Sequence, residues 1–564
     1  MRNWRINLIL ILIITLAAAI IGRLVFLQII KYDFYSALAQ GQQKFFMNSQ
    51  GERGEIFFQG YDLPIATNKT YFFAYVSPNE ISSSDREEIS KNLSEALNLD
   101  YNLVLEKLQK DSFYELIKNK IEEKEYNNLK AMNLPGLYFG KEESRTYPYG
   151  DFASHLLGFV NEDGEGQYGI EGYWDNFLKG KEEFLEGEKG PLGYFFSHSA
   201  GAGRGSDLIL TIDYNIQYQA EKLLKLAANQ LNTEGGTIIV VDPRSGQILA
   251  LAEFPNFNPN EYSKEKDFSV FQSDAVQKVF EPGSVFKPIT MAGALNEGTI
   301  TPQTTYTDPG MIEIGGWPIY NYEQRNYAYL GQISMTQVLE NSINTGAVFA
   351  ESRLGHQKFL DYIEKFGISE KTGIDLEGES LPQNNEFKQG REINFATASF
   401  GQGIEMTPIQ LLEAYMAIAN NGARLKPYLV EEIKNGDNGV IETKPEVVEK
   451  VISPETAAKL TAMLVSVVEN GFGKAAKIPG YYIAGKTGTA QMSFAALNID
   501  KEGYSDKTWQ SFIGFAPAFN PRFLIFVKLN NPATKTAEYS AIPIFKELAK
   551  YIIDYHQIPP DYAQ

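Results

Sequence analysis

The strongest apolar run opens the chain. "LILILIITLAAAIIGRLVFLQII", residues 8–30, contains one charged residue, Arg23, and follows Arg2 and Arg5. The 25 residues from Ile6 to Ile30 exceed the roughly 20 that cross a bilayer, and the leading arginines predict a cytoplasmic amino terminus. The pattern predicts a tail at 1–7 and an uncleaved transmembrane anchor at 8–30. The alternative is a cleaved signal peptide, with Ala17-Ala18-Ala19 as its small-residue site. Arg23 inside the span is costly unless it snorkels or meets a partner.

Residues 31–50 read as a juxtamembrane helix. "GERGEIFFQGYDLPIATNKTYFFAYVS" alternates and turns as a β-hairpin does. Residues 84–131 have helical spacing and charged faces, which predicts short amphipathic helices. "SHSAGAGRGSD", residues 197–207, is a Gly/Ser-rich break and the main predicted boundary. "LILTID" and "GGTIIVVDPRSGQILALAE" are strand-like, the second a hairpin turning at Asp242–Gly246, with a helix from Ile216 to Leu231 between them. A mostly helical stretch follows, in which Thr407, Pro408 and Gln410 make a well-signed helix start and Gly422 can end it. Strand character returns at Tyr481–Gln491 and Ser511–Leu529. Strands at both ends with helices between predict an α/β sandwich whose sheet joins distant parts of the chain.

Composition removes several chemistries. At 564 residues, two or three domains are expected. Cysteine is absent, which excludes disulfides, cysteine nucleophiles and thiolate metal sites. The net charge of -19 argues against nucleic acid, which needs a clustered basic surface. Four scattered histidines without an H-E-x-x-H pair make a zinc site an unfavoured reading, and no cofactor is implied.

"EPGSVFKPIT" places Ser284 three residues before Lys287 at the start of an apolar helix, with no histidine nearby. A serine hydroxyl needs a base. Residues three apart share a helix face, so the lysine amine can reach the serine oxygen. Pro288 lacks the N–H that would bond the Ser284 carbonyl, which predicts a local irregularity. A lysine base must be uncharged, and burial with a second cation nearby favours that state. S-x-x-K alone is a weak signal and occurs again at Ser263/Lys266 in a charged stretch. "ENSINTGA" adds Ser342 and Asn344, and "AGKTGTAQ" adds Lys486, Thr487, Gly488 and Thr489. Decoys exist at Ser77/Asn79, Ser90/Asn92 and Lys371–Gly373, and read as turns or solvated faces. Gly485 and Gly488 suit a strand edge along which a substrate backbone lies. Strict alternation, however, puts Lys486 and Thr487 on opposite faces. The Gly401-Gln402-Gly403 turn reads as structural.

Ser-x-x-Lys, then Ser-x-Asn 58 residues on, then Lys-Thr-Gly 144 residues further is the motif set of penicillin-binding proteins and serine β-lactamases. "SRTYPYGDFASHLLGFVNEDGEGQYGIEGYWDNFLKG", "VDPRSGQILALAEFPNFNPNEY" and "SFGQGIEMTPIQL" extend the resemblance over nearly the whole chain, to class B penicillin-binding proteins. One departure is "FFQGYD", where the family usually has a D-R-N-G-like turn. The resemblance implies a penicillin-binding transpeptidase domain at 205–564, an antiparallel sheet flanked by helices plus an all-helical subdomain. It implies an extended α+β pedestal or dimerisation domain at 31–204. The implied activity is a D,D-transpeptidase acting on peptidoglycan stems ending in D-Ala-D-Ala, with β-lactams as covalent inhibitors. In that scheme Ser284 is the nucleophile, Lys287 its base and Ser342 the proton relay. Asn344 holds Lys287 and the substrate amide, and Lys486 with Thr487 binds the terminal carboxylate. The backbone N–H groups of Ser284 and Thr489 form the oxyanion hole. Implied partners are a polytopic membrane glycosyltransferase and division proteins, with the catalytic part outside the plasma membrane. A division rather than an elongation role is the favoured reading of "EPGSVFKPIT" and of the absence of long insertions.

Two rivals are a D,D-carboxypeptidase or β-lactamase, which passes the acyl group to water, and a non-catalytic β-lactam receptor. Hydrolysis needs a positioned base for water, and nothing in the sequence marks Glu281 or Glu340 for that role. A receptor is expected to carry further spans and a cytoplasmic effector.

Overall fold

The computed structural model describes residues 4–26, 29, 31, 44–60, 62–180, 182–190, 193–196, 203–321, 331–435 and 439–563. The predicted break therefore lies largely outside the described residues, as does most of the juxtamembrane stretch. The chain divides into two units, Met1–Gly54 with Lys179–Gly205, and Glu55–Leu178 with Ser206–Gln564.

In the first unit a helix spans Trp4–Val25, and its window Leu8–Val25 has a mean hydropathy of 2.8 with none of it buried. The helix is long and apolar enough to cross a membrane. Strand Lys44–Gln50 pairs antiparallel with Glu182–Gly190. This corrects the helix expected over 31–50 in its last seven residues, where cross-strand pairing overrides local spacing.

In the second unit the expected sheet is present. Its strands run Ile248–Phe254, Gly235–Val241, Phe523–Asn530, Tyr504–Ala516 and Ala484–Ser493, all antiparallel, with Ala484–Ser493 on the edge. The region read as strand over Ser511–Leu529 is two strands with a turn between them. Side chains alternate between two cores. Ile238 and Val240 face the helices Tyr214–Leu231 and Ala541–Tyr555, with Phe512, Phe545 and Ile552. Ile239 and Val241 face a helical layer through Ile289, Leu412 and Leu460. Both faces are covered, so the central strands are continuous apolar runs. The helix Pro408–Ala419 starts on a capping box of Thr407 and Gln410, as expected.

A second sheet ties residues from both sides of the predicted boundary. Asp207–Leu210 pairs parallel to Ile56–Phe57 and antiparallel to Val430–Lys434. Ile56–Phe57 and Pro64–Val76 form the expected hairpin. The amphipathic stretch holds helices Arg86–Leu97, Tyr101–Leu108 and Glu123–Ala131, but a strand, Glu115–Ile121, interrupts it by pairing with Pro64–Val76.

A small polar cavity lies where residues 151–155 meet the five-stranded sheet, lined in part by Asp151, His155, Glu221 and Glu253. Burial drives the Glu253 carboxyl up to about 8, helped by the Asp274 carboxylate. Burial also raises Glu221 to about 7 and lowers His155 to about 4. Glu253 thus keeps its proton when folded at neutral pH. Its contribution to stability is complete below the unfolded carboxyl value and is lost as pH rises through the folded one. His155 has the opposite sign, losing stability as pH falls from about 6.5 toward about 4. The window from pH 6.5 to 9 therefore isolates the carboxyls. Glu253→Gln, an amide in place of the protonated acid, is expected to flatten the fall of Tm across this window. One pH unit is worth about 1.4 kcal/mol, or roughly 1–2 °C for a chain of this size. Equal slopes for wild type and variant would refute the assignment.

Candidate active site

The Ser284 segment begins with a one-turn 3-10 helix, Gly283–Phe286, that runs into the helix Lys287–Asn296. Pro288 explains the join. It has no N–H for the Ser284 carbonyl, and the Lys287 N–H takes that acceptor instead. A 3-10 turn eclipses residues three apart, which stacks Lys287 over Ser284. Ser284 is half-buried at the surface of the turn, and Lys287 is fully buried.

Three contacts fix this turn, two of them invisible in the sequence. The Gly283 N–H donates to the Gly401 carbonyl at 2.9 Å, and a Cβ on Gly401 would lie 2.2 Å from the Gly283 oxygen. Gly401, with φ +79°, is thus the structural glycine it was expected to be. Phe280 and Met406 exchange backbone bonds at 2.9 and 3.1 Å. The fully buried Tyr415 donates its hydroxyl to the Val285 carbonyl at 2.7 Å, across 130 residues of chain.

The second motif meets the first. The Lys287 amine donates to the Ser342 carbonyl at 2.7 Å, the Ser342 Oγ at 3.2 Å and the Asn344 Oδ1 at 2.7 Å. Ser342 holds φ +52°, an uncommon conformation for a residue with a side chain, and the kind of local strain that collects at functional sites. It sits between the helices Met335–Glu340 and Asn344–Leu354. The Asn344 Nδ2 donates to the Tyr320 carbonyl at 2.9 Å, a partner that no motif indicated.

The third motif lies on the edge strand. Lys486 is fully buried, and its amine donates to the Ser342 Oγ at 3.1 Å. One hydroxyl therefore bridges the two lysines. The alternation puzzle also resolves. Lys486 points to the buried face and Thr487 to the open one, but the lysine side chain folds back to donate to the Thr487 carbonyl at 3.0 Å and Oγ1 at 3.3 Å. Thr489 shares the open face, and its Oγ1 accepts from the Ala537 N–H at 3.4 Å. The glycines have protein neighbours. A Cβ on Gly488 would lie 2.5 Å from Ser511 Oγ and 3.0 Å from the Pro282 carbonyl oxygen, and one on Gly485 would lie 2.5 Å from the Phe512 ring. Gly488 thus lets the Ser284 turn close against the lysine strand.

Among the decoys, Ser77 precedes the short 3-10 turn Pro78–Glu80, but Ser90 is fully buried within the helix Arg86–Leu97, which corrects its reading as a turn or solvated face. Thr372 and Gly373 bond the Glu379 carboxylate in a pinned turn. Ser263 and Lys264 close a short surface 3-10 segment, Pro259–Lys264, two residues short of Lys266. Glu281 accepts from the Tyr504 hydroxyl at 3.1 and 3.0 Å, and Glu340 accepts from the Ser466 hydroxyl.

The arrangement places Ser284 one helical step from a buried amine, with a second buried amine across the shared Ser342 hydroxyl and a half-open strand edge alongside. Comparison with known proteins gives the family. Residues 236–550 match the family model for the penicillin binding protein transpeptidase domain, and residues 48–208 match that for the penicillin-binding protein dimerisation domain. Stage V sporulation protein D of Bacillus subtilis is 32% identical over 529 residues, covering 90% of this chain and 79% of the relative. The penicillin-binding protein PbpB of Mycolicibacterium smegmatis is 30% identical over 492 residues, covering 84% and 74%. Penicillin binding protein 3 from Mycobacterium tuberculosis, solved with aztreonam, superposes with a TM-score of 0.70 at 26% identity, over 92% of this chain and 98% of that one. By fold, by domain match and by motif geometry, the chain belongs to the penicillin-binding proteins that carry a transpeptidase domain.

Proposed function

We propose that the chain is a serine D,D-transpeptidase that cross-links peptidoglycan stem peptides and is acylated by β-lactams. The observation that carries this is the Ser342 hydroxyl held between the Lys287 and Lys486 amines, next to the Ser284 turn. Burial and a neighbouring ammonium both favour the uncharged form of Lys287. As the free amine, Lys287 takes the Ser284 proton while Oγ attacks the carbonyl carbon of the penultimate D-Ala. The C–N bond to the terminal D-Ala breaks, and the proton reaches the departing amine through Ser342. The backbone N–H groups of Ser284 and Thr489 stabilise the oxyanion. Lys486 and Thr487 hold the terminal carboxylate. An amine from a second stem then attacks the acyl-enzyme, and its proton returns by the same path.

Around this centre, residues 205–564 form the catalytic domain and 31–204 the pedestal. Residues 8–30 are the membrane anchor and 1–7 the cytoplasmic tail, which puts the site outside the cell membrane. The apolar helix, with Arg23 over the Phe26 ring at 5.5 Å, is the proposed contact for a polytopic glycosyltransferase. The dimerisation-domain match and the relatives described as peptidoglycan D,D-transpeptidases support this reading over a hydrolase. The test supplies a stem pentapeptide ending in D-Ala-D-Ala together with an acceptor D-amino acid. Exchange product is expected to exceed free acid, and penicillin is expected to acylate once and stay. Free tetrapeptide acid as the main product at every acceptor concentration would make the protein a carboxypeptidase.

A further inference from the structure

An amide side chain has two ends of nearly equal shape, and only one end of Asn344 can accept from Lys287. What selects that end comes from the segment Asp308–Asn321, outside all three motifs. The Tyr320 carbonyl takes the Nδ2 hydrogen at 2.9 Å, leaving Oδ1 for Lys287 at 2.7 Å. A half-turn of the amide would set donor against donor at Lys287 and acceptor against acceptor at Tyr320.

The neighbouring residue, Asn321, anchors this register. Its Oδ1 accepts from the Asn344 and Thr345 backbone N–H groups at 3.0 and 3.2 Å. That is the work of an N-cap side chain, which Ile343 at the N-cap position does not supply. Asn321 Nδ2 donates to both oxygens of Asp308, at 3.0 and 3.2 Å. Asp308 is fully buried, and its Oδ1 also accepts from the Gly310 N–H at 3.0 Å and the Thr345 Oγ1 at 2.9 Å. The chain of bonds runs from a buried carboxyl through one amide to the helix start, and through the adjoining carbonyl to the Asn344 side chain.

We propose that Asp308 and Asn321 are positioning residues for acylation, holding Tyr320 and the start of helix Asn344–Leu354 so that Asn344 presents its oxygen to Lys287. The proposal rests on the assigned roles of Ser284 and Lys287. Lys287 faces Asn344 and Ser342 from the second motif and, across the Ser342 hydroxyl, Lys486 from the strand. Losing the Asn344 acceptor removes a partner of the ammonium form, which lowers the amine's affinity for its proton. The plateau rate falls as well, because the base and the nucleophile no longer hold their alignment.

The experiment measures the acylation rate constant with a fluorescent penicillin from pH 5 to 9, per folded chain, alongside Tm. Asn321→Ala is expected to lower the plateau by about 10–100-fold and to move the acid limb to lower pH. Asp308→Asn and Asn321→Asp each set like groups against one another, and each is expected to be slow. The double exchange Asp308→Asn/Asn321→Asp reverses the bond between them and is expected to recover most of the plateau rate. A lowered Tm with wild-type rate constant and acid limb would reduce the pair to a structural cap and overturn the proposal. So would a double exchange no faster than the slower single variant. Absence of label on the wild-type chain would instead overturn the assignment of the site itself.

Discussion

A chain carrying Ser284→Ala is expected to take no covalent label from a fluorescent penicillin under conditions that label the wild type to completion. Ser284 sits half-buried on a 3-10 turn closed by backbone bonds, so alanine leaves the turn intact. The loss is chemical. No acyl-enzyme forms without the oxygen nucleophile, and the expected fall is on the order of 10⁴ or more. Labelling is read on a gel beside a melting curve, and an unchanged Tm separates lost chemistry from lost fold. A variant that still labels at a tenth of the wild-type rate would move the nucleophile elsewhere.

Replacing Lys287 has the second largest expected effect. Lys287→Met keeps the length of a buried side chain and removes the amine, and acylation is expected to slow by about 10²–10⁴. The substitution leaves the Ser342 carbonyl and Asn344 Oδ1 without their donor. That costs about 1–3 kcal/mol per unmet buried group, so the rate must be scored per folded chain. Lys287→Arg sharpens the test. A guanidinium keeps the charge and the donors but does not give up its proton at any working pH. Arginine is therefore expected to be as slow as methionine. Recovery of the rate with arginine would mean that the cation, and not the free amine, is what the site needs.

The three motifs were legible because acyl transfer demands particular residue types at particular positions. Ser284 to Lys287 is one turn, and Pro288 told in advance where the helix would be irregular. Thr407 and Gln410 marked a helix start whose capping partners lie three residues apart. The supports of the site were not legible. Tyr415 reaches Val285 across 130 residues, and Tyr320 contributes a backbone carbonyl, which every residue has. Asn321 caps a helix 23 residues away in sequence, where local capping rules do not look. The strand Glu115–Ile121 was hidden for a related reason. Its sequence, ELIKNKI, carries two lysines and gains its conformation by pairing with Pro64–Val76. Alternation along the edge strand gave the right faces for Lys486 and Thr487, and missed only that a lysine is long enough to turn back over its neighbour. Gly488 was read as room for a substrate, whereas its nearest neighbours are Ser511 and Pro282 of the protein itself.

The central claim is that one hydroxyl, activated by the amine one helical step away, carries the acyl group. Its most direct test is peptide mass mapping of the wild-type chain after brief exposure to benzylpenicillin. The account predicts one penicilloyl group per chain, on the peptide containing Ser284 and on that residue. An adduct on Ser342, on Ser263 of the decoy Ser-x-x-Lys, or on any other side chain would contradict it.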